Sequence, residues 1–209
     1  MNPVSERIEQ LKLIPVIVLD DAANAAPLAE ALIAGGLPCA EVTFRTAAAA
    51  ASIKAMANYT DLCLGAGTVL TIDQVKAAVD AGARYIVTPG FNPDVVGYCV
   101  ANNIPVFPGV SNPTDIEMGL KFNLQVLKFF PAEAFGGLKT LQAISAPYGM
   151  VRFIPTGGIT ANNVRDYLAC KMVFACGGSW MVPKELINAG KFAEIAKLTR
   201  SAVELITDL

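Results

Sequence analysis

The chain contains no histidine in 209 residues. That absence excludes the Ser-His-Asp and Cys-His nucleophile systems, the H-E-x-x-H zinc site, the two-His-one-carboxylate iron site and the imidazole proton shuttle. Acid–base or covalent chemistry therefore falls to Lys, Glu, Asp, Tyr or Cys. Charged residues are also sparse, at 16%, and the net charge of −2 with a pI near 5.2 leaves no Lys/Arg cluster of the kind a phosphate backbone demands. No nucleic-acid partner is expected. Long apolar runs are missing as well: the stretch 13–19 stops at Asp20-Asp21, far short of the ~18 residues needed to span a bilayer. The opening MNPVSERIEQLK is polar and predicts neither a secretory leader nor a membrane partner. Cys39, Cys63, Cys99, Cys170 and Cys176 form no C-x-x-C pair and are odd in number, so they read as reduced, buried thiols of a cytoplasmic protein.

What the chain has instead is apolar residue, 54% of the total, with a mean hydropathy of +0.48. High hydropathy in short runs is the mark of strands buried on both faces, as in a parallel sheet covered by helices. Short β-branched runs at 13–19, 39–44, 62–69, 85–88, 106–110, 126–130, 153–156 and 172–175 alternate with stretches of helical spacing. Units of this kind, repeating roughly every 20–26 residues without a break in composition, predict a single-domain α/β fold over 1–209. The simplest form is a (β/α)8 TIM barrel, with a helix at 5–11 capping the bottom of the barrel. A doubly wound open sheet is the alternative, but it normally carries a Gly-rich first turn, and Leu19-Asp20-Asp21-Ala22 has no glycine.

In such barrels the site is built at the carboxyl ends of the strands. Lys128 stands inside an apolar strand, between Leu127 and Phe129-Phe130, while Lys12 and Lys171 precede strands and Lys54, Lys76, Lys121, Lys139, Lys184, Lys191 and Lys197 fall on helices or their ends. Removing an ammonium from water favours the neutral amine, the form that attacks a ketone. Glu41 is the carboxylate inside a strand, and alternation along Glu41-Val42-Thr43-Phe44-Arg45 sends Glu41, Thr43 and Arg45 to one face. It is a candidate general base, or a structural counter-ion of Lys128, or both.

The fork of Arg45, with Thr68 beside it on the next strand, suits a carboxylate or phosphate; alone, Arg45 could equally be a surface residue just past its strand. Phe130 shares the face of Lys128 and reads as pocket wall. Gly157-Gly158 and Gly177-Gly178-Ser179 follow the last two strand runs, where barrel enzymes hold phosphate on backbone N–H groups, although a single Gly-Gly is more often an ordinary turn.

Five segments, EVTFRT, GAGTVL, LKFFPAEAFGG, PTGGI and GGSWMVP, in this order and spacing, resemble the 2-keto-3-deoxy-6-phosphogluconate and 2-keto-4-hydroxyglutarate aldolase family over essentially the whole chain. The resemblance implies a trimeric (β/α)8 class I aldolase of the Entner–Doudoroff pathway, acting on a 2-keto acid phosphate with no metal and no cofactor. It implies Lys128 as the Schiff-base lysine, Glu41 as general acid/base, Arg45 and Thr68 on the pyruvyl carboxylate, Thr156 and Pro89 as pocket residues, and Gly157, Gly158, Gly178 and Ser179 on the phosphate. Two rival readings share the glycine pairs: a phosphosugar epimerase or isomerase barrel, and a non-catalytic barrel that binds a small anion. Neither needs Lys128 in an apolar strand.

Overall fold

The computed structural model describes residues 2–208. Its elements run α1 (Pro3–Leu11), β1 (Leu13–Ile17), α2 (Ala25–Ala34), β2 (Cys39–Thr43), α3 (Ala49–Met56), β3 (Cys63–Gly67), α4 (Ile72–Asp80) and β4 (Ile86–Val87). They continue as α5 (Pro93–Ala101), β5 (Val106–Phe107), β6 (Gly109–Val110), α6 (Pro113–Lys121), β7 (Val126–Phe129), α7 (Gly137–Ser145), β8 (Arg152–Pro155), α8 (Val164–Leu168), β9 (Cys176–Gly178), α9 (Lys184–Asn188) and α10 (Phe192–Glu204).

Local chemistry starts several of the helices. Thr71 accepts from the N–H of Gln74, and the Gln74 amide oxygen accepts from Leu70 N, 2.7 Å away, a reciprocal cap. Asn92-Pro93 and Asn112-Pro113 each pair an asparagine cap with a proline in the first turn, where the missing N–H costs nothing.

The strands are parallel and form two curled sheets, one of six strands in the order β5-β4-β3-β2-β1-β9 and one of three in the order β6-β7-β8. Every residue of β1, β2 and β3 is buried, as expected of strands with side chains packed on both faces. The sheets meet at two places. Between β5 and β6 only Pro108 intervenes, and its carbonyl accepts from Lys128 N at 2.9 Å. Between β8 and β9 the bridges Phe153↔Val173 and Thr156↔Gly177 form, with Phe153 N donating to Met172 O and Phe174 N to Phe153 O, both at 2.7 Å. Helix α1 packs on β1 and β3 through the fully buried Ile8, and its Glu9 pairs with Arg152 at the amino end of β8.

The last strand departs from the expectation at 172–175. Regular pairing begins at Cys176 and includes Gly177 and Gly178, in register with Leu13, Ile14 and Pro15 of β1. Two glycines carry no side-chain alternation to read, so backbone pairing with β1 places this strand rather than its hydrophobic pattern. Helix α8, which precedes it, is a short one, Val164–Leu168. All five cysteines are free thiols, four of them buried and Cys170 half-buried. Among the described residues no helix is long and apolar enough to cross a membrane.

Candidate active site

Strand β2 carries Glu41 in register with Gly65 of β3, and β7 carries Lys128 in register with Gly109 of β6 and Ile154 of β8. The two side chains meet: Lys128 Nζ lies 3.5 Å from Glu41 Oε1, with the side chains 5% and 2% exposed. At that separation they form an ion pair, and Glu41 Oε1 accepts no hydrogen bond among the described residues. A carboxylate oxygen in this state keeps its acceptor capacity for an incoming proton. Gly67 makes room for it, since a Cβ there would overlap the Glu41 carboxylate. Phe130 follows on the same face, its ring centroid 5.0 Å from Lys128 Nζ.

A cavity of about 500 Å3 opens beside this pair, at the carboxyl ends of the strands, within the size range of small-molecule sites. Eight of the expected residues line it: Arg45, Phe130, Thr156, Gly157, Gly158, Gly177, Gly178 and Ser179. Arg45 is exposed in the turn after β2. Gly157 and Gly158 have φ of +95° and +82°, a backbone that side chains resist. Their turn is braced from outside. Ala132 N donates to Thr156 O at 2.8 Å, Glu133 N to Gly157 O at 3.0 Å and Asn163 Nδ2 to Gly158 O at 3.0 Å. The Glu133 carboxylate is in turn held by the Tyr167 hydroxyl, whose pKa is pushed up by burial and by that carboxylate.

The remaining expected residues stand off the cavity wall. Lys128 and Glu41 are not among the lining residues, but Lys128 Nζ contacts the ring of Phe130, which is. Thr43 is fully buried and its hydroxyl donates to Ile17 O at 2.8 Å, so it ties β2 to β1. Thr68, at φ +54°, and Pro89 follow the ends of β3 and β4. Gly65 serves packing, because a Cβ there would strike the Tyr85 ring.

Several cavity residues carried no functional signal in the sequence: Val16, Val18, Trp180, Lys184 and Glu185. Lys184 is the notable one, paired with Asp20 Oδ2 at 3.0 Å, while Asn188 Nδ2 donates to the same oxygen at 3.1 Å. These two hydrogen bonds, that of Lys184 first, hold the Asp20 carboxyl below its usual range. The only sequence cue to Lys184 was its place directly after GGSWMVP. Among the described residues no group of three or more His, Cys, Asp or Glu side chains is placed to hold a metal ion.

A buried amine against a buried carboxylate, next to a cavity at the carboxyl ends of parallel strands, defines the class: an α/β enzyme acting on a small molecule. The chain belongs to the KDPG and KHG aldolase family, whose family model matches residues 4–198. It is 47% identical to the 2-dehydro-3-deoxy-phosphogluconate aldolase of Treponema pallidum (strain Nichols), over 99% of each chain. Among solved structures it is similar to the 2-keto-3-deoxy-6-phosphogluconate aldolase of Zymomonas mobilis ZM4 with 3-phosphoglycerate, at TM-score 0.91 and 40% identity over 98% of this chain and 97% of that one. It is similar also to the KDPG aldolase of Legionella pneumophila with pyruvate captured at low pH as a covalent carbinolamine intermediate, at TM-score 0.92 and 38% identity over 96% and 98%.

Proposed function

We propose that the chain is a class I, Schiff-base aldolase that cleaves 2-keto-3-deoxy-6-phosphogluconate to pyruvate and glyceraldehyde 3-phosphate, and 2-keto-4-hydroxyglutarate to pyruvate and glyoxylate. The observation that carries this reading is the 3.5 Å contact between Lys128 Nζ and Glu41 Oε1, both withdrawn from solvent. The carbinolamine captured in the Legionella protein supports it, because that adduct is the first intermediate of the scheme.

In the proposed sequence Lys128 passes a proton to Glu41 and its amine adds to the C2 ketone. Glu41 gives that proton to the carbinolamine hydroxyl, which leaves as water, so that a protonated imine and the Glu41 carboxylate result. Glu41, as carboxylate, takes the C4 hydroxyl proton, the C3–C4 electron pair flows into the iminium, and the aldehyde leaves. Glu41 returns its proton to C3 of the enamine, and water hydrolyses the resulting imine to pyruvate and free Lys128. Arg45 and Thr68 hold the pyruvyl carboxylate, Phe130 and Thr156 form the pocket wall with Thr43 and Pro89 supporting it, and Gly157, Gly158, Gly178 and Ser179 cradle the phosphate. The positive φ angles at Gly157 and Gly158 support the cradle, since they leave the backbone uncovered by side chains.

We read the two sheets as one closed (β/α)8 barrel, a single aldolase domain over 1–209, with β5 and β6 as halves of one strand interrupted at Pro108. The β8–β9 bridges support closure, and the Glu9–Arg152 pair supports α1 as the cap of the amino-terminal face. The family resemblance extends the reading to a homotrimer in the cytoplasm, with no metal or cofactor of its own.

The test is pyruvate release from each keto acid by the wild type and by Lys128→Ala. The wild type should release pyruvate and the variant essentially none; a Lys128→Ala enzyme that retains turnover overturns the reading.

A further inference from the structure

The cavity wall carries two cations, Arg45 and Lys184, and they arise on opposite sides of β1: Arg45 follows β2 and Lys184 follows β9, and the sheet order is β2-β1-β9. Two strand spacings separate those flanking strands, about 10 Å. A ligand with one anionic group at each end can therefore engage both cations at once. Lys184 stands next to the glycine turns, with Gly158, Gly178 and Ser179 in the same wall, so the anion nearest it is the one those backbone groups would hold.

We propose that Lys184 is the cation that recognises the substrate's distal phosphate, and that it sets this chain's preference for phosphorylated over unphosphorylated 2-keto acids. The proposal rests on the aldolase reading above and deepens it.

Asp20 serves Lys184 as a positioning residue. An ammonium has three donors, and the 3.0 Å contact with Asp20 Oδ2 uses one, leaving two for phosphate oxygens. Asn188 Nδ2 shares the same Asp20 oxygen at 3.1 Å and fixes the carboxylate that aims the lysine. The ammonium is partly solvated, its side chain 45% exposed, so it can meet the ligand without leaving a buried position. Glu185 also lines the cavity and repels an anion. Without Lys184 the phosphate end would face that carboxylate with only backbone N–H groups and the Ser179 hydroxyl in its favour. Unphosphorylated 2-keto-4-hydroxyglutarate ends in a carboxylate on a shorter chain and does not reach as far toward α9.

The experiment compares wild type, Lys184→Ala and Lys184→Arg on 2-keto-3-deoxy-6-phosphogluconate and 2-keto-4-hydroxyglutarate, with calorimetric titration of inorganic phosphate as a binding readout independent of turnover. Loss of one charge-assisted contact should raise KM for the phosphorylated acid about tenfold with kcat nearly unchanged. Turnover of the unphosphorylated acid should stay within about twofold, Lys184→Arg should restore most of the loss, and phosphate affinity should fall in Lys184→Ala. Equal changes on both substrates mark a purely structural Lys184–Asp20 pair and overturn the proposal, as does an unchanged KM. A wild type that cleaves neither acid counts against the aldolase reading, and the phosphate titration then still decides the role of Lys184.

Discussion

Lys128 Nζ and Glu41 Oε1 face each other across the interior of the fold at 3.5 Å, one from β7 of the three-stranded sheet and one from β2 of the six-stranded sheet. A pair this deeply buried sits where desolvation opposes Coulomb attraction, and removing one partner strands the other. Lys128→Met should therefore cost about 3–5 kcal/mol of stability, whereas Lys128→Met combined with Glu41→Met should recover most of it by replacing both charges with apolar groups of similar length. Urea unfolding of the two single variants and the double variant checks this. Additive losses in the double variant would show that the charges do not interact.

Gly67 lies where a Cβ would collide with the Glu41 carboxylate. The strand around it is fully buried and has little room to shift. Gly67→Ala should displace Glu41 from Lys128, lowering stability by about 1–3 kcal/mol and slowing turnover beyond what the stability loss explains. Steady-state kinetics below the unfolding transition, beside a urea curve, separate the two effects. Unaltered kcat would mean that the carboxylate's position is not critical.

Asp208 is tied down by charge. Arg165 donates to both Asp208 oxygens, at 2.6 and 2.9 Å, and that guanidinium lowers the Asp208 carboxyl from its ordinary 3.8 to about 2. A carboxylate whose pKa is depressed by folding contributes stability above its unfolded value and loses it as pH falls through the folded one. The stability difference between wild type and Asp208→Asn should accordingly be full at neutral pH, shrink below about pH 4 and vanish near pH 2. Thermal unfolding across that range measures it. A difference independent of pH would rule out the ion pair as its source.

The fold was readable where local chemistry and period agree. Thr71, Asn92-Pro93 and Asn112-Pro113 mark helix starts by themselves, and the short, largely apolar runs of β1 to β3 announce strands buried on both faces. Lys128 and Glu41 were legible because a charge inside an apolar strand contradicts its surroundings. Strand β9 was misplaced because its glycines are positioned by pairing with β1, a contact between residues far apart in the chain. Beyond its place after GGSWMVP, nothing in the sequence marks Lys184, because a lysine opening a short helix is ordinary, and its place in the cavity follows from the adjacency of β9, β1 and β2. Thr43 was legible as inward-facing, but alternation carries no information about the Ile17 carbonyl that takes up its hydroxyl.

Reductive trapping shows whether Lys128 is the nucleophile. The protein is incubated with pyruvate, reduced with borohydride, digested and mapped by mass spectrometry. The pyruvate-derived mass should appear on the peptide bearing Lys128, be absent from Lys128→Ala, and persist at reduced level in Glu41→Gln, whose cleavage rate should fall about 10²–10⁴-fold. An adduct on another lysine, or no adduct at all, would exclude Lys128 as the nucleophile.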